Sequence, residues 1–128
     1  MYYLKTKYFA RWARKEKIAD TQLWETIAEF EKGLFGANLG NYLFKKRLAL
    51  GGRGKSGGGR IILFYQKGEK LIFCSGFSKN QHNNLSYLDF KLLNKLSETL
   101  KTFSENTILN NIQHGEFIVI EKGEIYEK

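Results

Sequence analysis

A chain of 128 residues, 42% apolar and 15% aromatic, can bury one core but not two, and its composition is not that of a disordered segment. One cysteine and two histidines exclude an internal disulfide framework and give no support to a zinc site, and no cofactor motif stands out. No apolar run approaches the roughly 18 residues of a membrane span, and the basic start MYYLKTKYFARWARK lacks a secretory signal pattern, so no membrane association and a reducing cytoplasm are expected.

In chain order, residues 6–18 read as a helix, with Tyr8, Phe9 and Trp12 on one face and Arg11, Arg14 and Lys15 turned to water. Asp20 is placed to cap a second helix over 21–33, with Leu23, Ile27, Phe30 and Leu34 at helical spacing and Gly33 and Gly36 ending it. The short link makes the pair an antiparallel hairpin. The period then changes. Residues 41–49 alternate as a strand, with Leu43, Lys45, Arg47 and Ala49 on one face and Tyr42, Phe44, Lys46 and Leu48 on the other. A glycine loop fills 51–59, and strands follow over 60–66 and 71–78 across a turn at Lys67-Gly68-Glu69, giving a three-stranded antiparallel meander.

After a polar turn at 79–84, a longer helix begins near Ser86. Its apolar stripe is Leu85, Leu88, Leu92, Leu96, Leu100 and Phe103, with Leu93 beside it. The tail 104–128 reads as an extension packed on the domain. It holds a short helix around Ile108, Leu109 and Ile112, a break at Gly115, and a strand over 117–120. The expected class is α+β, with helices packed on a small, mainly antiparallel sheet in one domain over 1–128.

The net charge of +8 is concentrated in one segment. From Lys32 to Gly68 there is no acid, while Lys32, Lys45, Lys46, Arg47, Arg53, Lys55, Arg60 and Lys67 are basic. The remaining 13 of the 21 basic residues are matched by the 13 acidic ones. An unopposed positive element on a balanced scaffold points to a polyanion, most often nucleic acid.

Gly54-Lys55-Ser56 imitates the end of a Walker loop, but the first glycine of that motif would fall at Ala49, and the loop runs into a strand rather than a helix. The stretch is better read as a phosphate cradle for a chain than as a nucleotide site. Glycine allows close backbone approach, and arginine clamps phosphate through paired hydrogen bonds.

The run Lys45-Lys-Arg-Leu-Ala49, then Gly52-Arg-Gly-Lys-Ser-Gly-Gly-Gly-Arg60, then Gly76-Phe-Ser-Lys-Asn80 resembles the HigB branch of the RelE/ParE toxins of type II toxin–antitoxin systems. Lys5-Thr-Lys-Tyr-Phe-Ala-Arg-Trp-Ala-Arg14 is similar to the first helix of that branch, and the likeness covers about residues 5–103. The resemblance implies a RelE-like fold and a metal-independent endoribonuclease acting on ribosome-bound messenger RNA. It also implies a cognate antitoxin as partner, expected to be a helix-turn-helix protein. In such chemistry the ribose 2′-hydroxyl attacks the adjacent phosphodiester, which requires a base, cations for the phosphorane and an acid for the 5′-oxygen.

Mapped onto this sequence, the resemblance implies that Arg53 and Arg60 bind the scissile phosphate. Lys55 orients the 2′-hydroxyl or takes its proton, and Lys79 stabilises or protonates the leaving group. Lys45, Lys46 and Arg47 would hold flanking RNA. His82, the side chain near the motif that titrates close to neutrality, is not part of the resemblance and is placed with the RNA-binding residues, a catalytic role and a surface or turn role standing as alternatives. Tyr87 is placed either to stack on a base or to pack at the start of the last long helix, and His114 lies in the remote tail. A non-catalytic nucleic-acid-binding module using the same cations, a ParE-like gyrase inhibitor, against which the cation cluster argues, and a degenerate toxin stand as alternatives.

Overall fold

The structure is a computed structural model that describes residues 1–50, 58–78 and 87–121, apart from the side chains of residues 87 and 88. Its elements are β1 (Tyr2–Thr6), α1 (Lys7–Lys15), α2 (Asp20–Glu31), β2 (Ala37–Gly40), β3 (Leu43–Leu48), β4 (Gly59–Gln66), β5 (Lys70–Ser78), α3 (Tyr87–Leu100), α4 (Glu105–Gln113) and β6 (Phe117–Val119). The strands form one mixed sheet in the order β2-β3-β4-β5-β1-β6. Every neighbouring pair is antiparallel except β1 with β5. The expected α+β class therefore holds, and the expected meander is its β3-β4-β5 centre.

Strand alternation divides the core into two layers. On one face Phe9 and Ala13 of α1 and Leu23, Ile27 and Phe30 of α2 pack on Leu48, Ile61, Leu63 and Phe73. On the other, Leu93 and Leu100 of α3 and Ile108 of α4 pack on Leu4, Leu43, Ile62, Phe64 and Ile72. Residues 104–121 belong to the core: β6 pairs with β1, Phe117 is buried in the second layer and Ile120 in the first.

Two strands were not expected. β1 lies where the sequence suggested the approach to a helix, and its five residues gain their conformation from long-range pairing with β5 on one side and β6 on the other. Thr6 marks the change of element. Its hydroxyl oxygen accepts from Phe9 N at 3.0 Å as the cap of α1, and the hydroxyl donates to Cys74 O at 3.2 Å on β5. β2 is a short exposed edge. It returns into β3 through Asn41 (φ 55°) and Tyr42 (φ 66°), the two successive left-handed residues of a type I′ turn. Asn41 is tied to α3, its side chain donating to Asn94 and its carbonyl accepting from the buried Ser97 hydroxyl.

Several helical details differ from expectation. Ala19, not Asp20, is the cap of α2, and it makes no side-chain hydrogen bond there. Asp20 is the first helical residue. Its carboxylate joins Lys5 at 2.7 Å to the backbone N–H of Glu121 at 2.8 Å, so it locks β1, α2 and the tail together. Leu34 lies beyond the end of α2 and is exposed. Tyr8 points outward rather than with Phe9 and Trp12. In α3, Leu92 is exposed while Leu93, Ser97 and Leu100 are buried, so the inward stripe is turned by one residue from the leucine pattern. Leu85, Leu88 and the proposed helix start at Ser86 lie outside the described residues or side chains.

Cys74 is buried, and burial pushes its thiol up to about 12 against the opposing effect of a hydrogen bond to the Phe64 backbone. It remains a protonated, inert core residue at neutral pH.

Packing is tight at Gly76 of β5, where a Cβ would overlap the Trp12 indole. Because α1 rests on β5 through this contact, Gly76→Ala is expected to destabilise the protein by about 1–3 kcal/mol, the usual cost of overpacking. A lowered melting temperature measured by circular dichroism is the expected result. A companion Gly68→Ala, at an open turn with φ 81°, would cost stability through backbone strain rather than overlap, and only the Gly76 variant should be relieved by a smaller residue at Trp12.

Candidate nucleic-acid interface

β3 and β4 place the cations before any loop is considered. Their register sets Lys45 against Ile62, Lys46 against Ile61 and Arg47 against Arg60. Residues directly opposite in an antiparallel pair project to the same face. Arg60 alternates with Ile61, and Arg47 with Leu48, both of which belong to the α1/α2 side of the core. The two arginines therefore share the face covered by α3 and α4, at the end of the sheet where β3 leaves and β4 enters. Lys45 lies on that face, one strand repeat behind Arg47. Arg47 is exposed. Among the described residues no carboxylate pairs with Lys45 or Arg47.

Arg60 is held more firmly. Its Nη1 donates to the Gly59 carbonyl at 3.0 Å, and it has further contacts. The register thus sets two guanidinium-bearing residues directly opposite each other on one face of the sheet.

Lys46 goes elsewhere. Alternation sends it to the opposite face, where its Nζ pairs with Glu29 of α2 at 2.8 Å, donates to the Leu34 carbonyl at 2.7 Å and lies 5.6 Å from the Phe30 ring. With its side chain only 10% exposed, it fastens α2 to β3. Sequence reasoning grouped it with its basic neighbours, although the two-residue period already separated it from Lys45 and Arg47.

The two stems of the glycine loop are anchored. Leu50 is buried, and Gln22 Nε2 of α2 donates to the Ala49 carbonyl at 2.7 Å. On the returning side a Cβ at Gly58 would overlap the Leu48 carbonyl, and one at Gly59 would come within 2.9 Å of Leu50 Cδ1. The glycines at this stem are therefore required by packing. Arg53, Lys55, Lys79 and His82 lie outside the described residues. The ends from which they depart, Leu50, Gly58 and Ser78, are placed next to the arginine pair, and Ser78 is in register with Gly59. Among the described residues no group of three His, Cys, Asp or Glu is placed to hold a metal ion. The described cavities, lined by residues such as Tyr3 and Trp24 or Cys74 and Phe103, do not include this arginine pair.

The two neighbouring cations should separate in experiment. Lys46→Ala is expected to lower stability by about 1–3 kcal/mol, because it removes a largely buried ion pair to Glu29 and a hydrogen bond to the Leu34 carbonyl, and to leave affinity for single-stranded RNA within twofold. Arg47→Ala should do the reverse, weakening RNA binding at least several-fold with the melting temperature unchanged or raised. Thermal melts beside fluorescence-anisotropy titrations decide it.

The family described as RelE toxin of the RelE/RelB toxin–antitoxin system matches the chain over residues 1–120, which takes in all six strands and all four helices described above. No curated protein matches the chain. With nearly its whole length covered by one family, this chain belongs to the RelE toxins of toxin–antitoxin systems.

Proposed function

We propose that this toxin is a metal-independent messenger-RNA endoribonuclease of the HigB branch, acting on ribosome-bound transcripts in the cytoplasm and restrained by a helix-turn-helix antitoxin. The observation that carries the reading is the Arg47–Arg60 pair, set face to face across β3 and β4 at the stems of a loop that contributes Arg53 and Lys55. A phosphodiester is the ligand whose charge and shape suit two arginines on one face. Family membership supports the toxin role and the existence of an antitoxin partner.

In the proposed reaction the ribose 2′-oxygen attacks the adjacent phosphorus and gives up its proton to Lys55 in its neutral form. The new P–O2′ bond closes a 2′,3′-cyclic phosphate, and the P–O5′ bond breaks. The departing 5′-oxygen takes a proton from Lys79. Arg60 and Arg53 contact the non-bridging oxygens, whose negative charge grows in the pentacoordinate state, so their hydrogen bonds strengthen where the barrier lies. Arg47 and Lys45 hold the neighbouring phosphate, and His82 contacts flanking RNA. Lys46 is left out of this set because its ammonium is committed to Glu29.

Purified protein added to a cell-free translation reaction, with messenger-RNA ends mapped by primer extension, tests the proposal. New ends are expected only when ribosomes are present, and Arg60→Ala should reduce them by at least 100-fold, in the range found when a charge-stabilising donor is removed. Intact messenger RNA at toxin levels equal to the ribosomes would overturn the reading.

A further inference from the structure

A second cationic surface lies on the other side of the sheet. α1 carries Lys7, Arg11, Arg14 and Lys15 within its nine residues and contains no acid. Its inner side is used up by the core, with Phe9, Ala10 and Ala13 buried and Trp12 laid on Gly76. The outer side exposes Arg11, Arg14, Lys15 and Tyr8, the last 64% exposed. The Tyr8 ring stands between two cations, with Lys7 Nζ at 5.5 Å and Arg11 Cζ at 5.8 Å. Lys7 is paired with Glu116 at 3.0 Å. Among the described residues no carboxylate pairs with Arg11, Arg14 or Lys15.

The stripe is distinct from the arginine pair and close to it. Gly76, beneath Trp12, is in register with Ile61, the residue after Arg60. The two basic surfaces therefore lie at one end of the sheet on opposite faces, with a helix layer of about 10 Å between sheet and outer surface on the α1 side.

We infer that the outer face of α1 is a second phosphate-backbone site, one that takes double-helical RNA while the Arg47–Arg60 face holds a single strand. Cations three and four apart on a helix lie about 5–6 Å from one another, which forms a row of contacts along a backbone. Phosphate contacts of this kind position a protein without reading sequence. A membrane surface is disfavoured because the apolar side of α1, which would have to enter the lipid, is already buried. A protein partner is disfavoured because the stripe offers only Tyr8 as an apolar anchor.

The inference extends the functional reading but is tested by binding, so each can fail without the other. The probes are a 20-base-pair RNA duplex and a single-stranded 2′-O-methyl RNA, which cannot be cleaved through its 2′-oxygen. The variant is Arg11→Ala/Arg14→Ala/Lys15→Ala, whose positions are all exposed, with circular dichroism confirming the fold. The triple variant is expected to lose at least tenfold in duplex affinity near 100 mM salt. The slope of log affinity against log salt should fall by about two to three, one counterion for each lost cation.

Single-strand binding by the triple variant should stay within a few-fold of the parent, and a saturating single strand should leave duplex binding in place. Arg47→Ala should show the opposite preference. Unchanged duplex affinity and slope in the triple variant would overturn the inference, as would full competition between the two probes. Binding of phosphatidylserine vesicles through α1 with duplex RNA ignored would overturn it as well.

Discussion

The site depends on one register. Because β3 and β4 pair with Leu43 opposite Phe64 and Leu48 opposite Gly59, Arg47 must face Arg60. A slip of one residue would send every side chain of β3 to the other face. Lys46 would then meet the cleft, and Arg47 would enter the layer now filled by Phe30 and Phe44. That slip is opposed at both ends of the hairpin. At the open end, beside the β2–β3 turn, Asn41 is bound to α3 through Asn94 and Ser97. At the glycine-loop end, a Cβ at Gly58 would overlap the Leu48 carbonyl. The opposition of the two arginines is therefore held in place by apolar packing. Phe30, Leu48, Ile61 and Leu63 on one side and Leu43, Ile62 and Phe64 on the other are all nearly inaccessible.

From the same alternation comes a division of labour among adjacent cations. Lys45 and Arg47 stand on the side of the proposed cleft. Lys46, between them in sequence, is a structural cation that ties β3 to α2. Three consecutive basic residues thus serve two purposes, and their total charge says little about how much of it is offered to a ligand. The tail is similarly structural. Asp20 bonds both Lys5 and the Glu121 backbone, and Trp24 donates to the Glu121 carbonyl at 3.0 Å, so the chain after β6 is fastened to α2.

The central strands were legible in the sequence because their period is short and their contacts are between neighbours. Alternation in 41–49, a β-rich run after the glycines and Gly68 at a turn specify β3, β4 and β5 with little help from the rest of the chain. β1 and β2 were not legible. Tyr2–Thr6 becomes a strand by lying parallel to residues nearly seventy positions away, and Ala37–Gly40 does so by following β3 back along the sheet. In α3 the adjacent leucines 92 and 93 left the inward face ambiguous by one position, and the hydrogen bond from Ser97 to Asn41 fixed it by burying a polar residue. In the candidate site, the opposition of Arg47 and Arg60 follows from a strand pairing that could be anticipated, whereas the diversion of Lys46 depended on where Glu29 would come to lie. Arg53, Lys55, Lys79 and His82 were named from sequence and resemblance, and their places relative to the pair rest on the stems that carry them.

The central claim is that RNA is held by Arg47 and Arg60, which β3 and β4 present on one face of the sheet. Nuclear magnetic resonance of the arginine side-chain Nε–Hε groups, followed while a short 2′-O-methyl RNA is added, tests it most directly. The account predicts that the Arg47 and Arg60 signals shift together and saturate at one RNA per protein, with the Lys46–Glu29 contact undisturbed. Saturation of RNA binding while both arginine signals stay in place would contradict it.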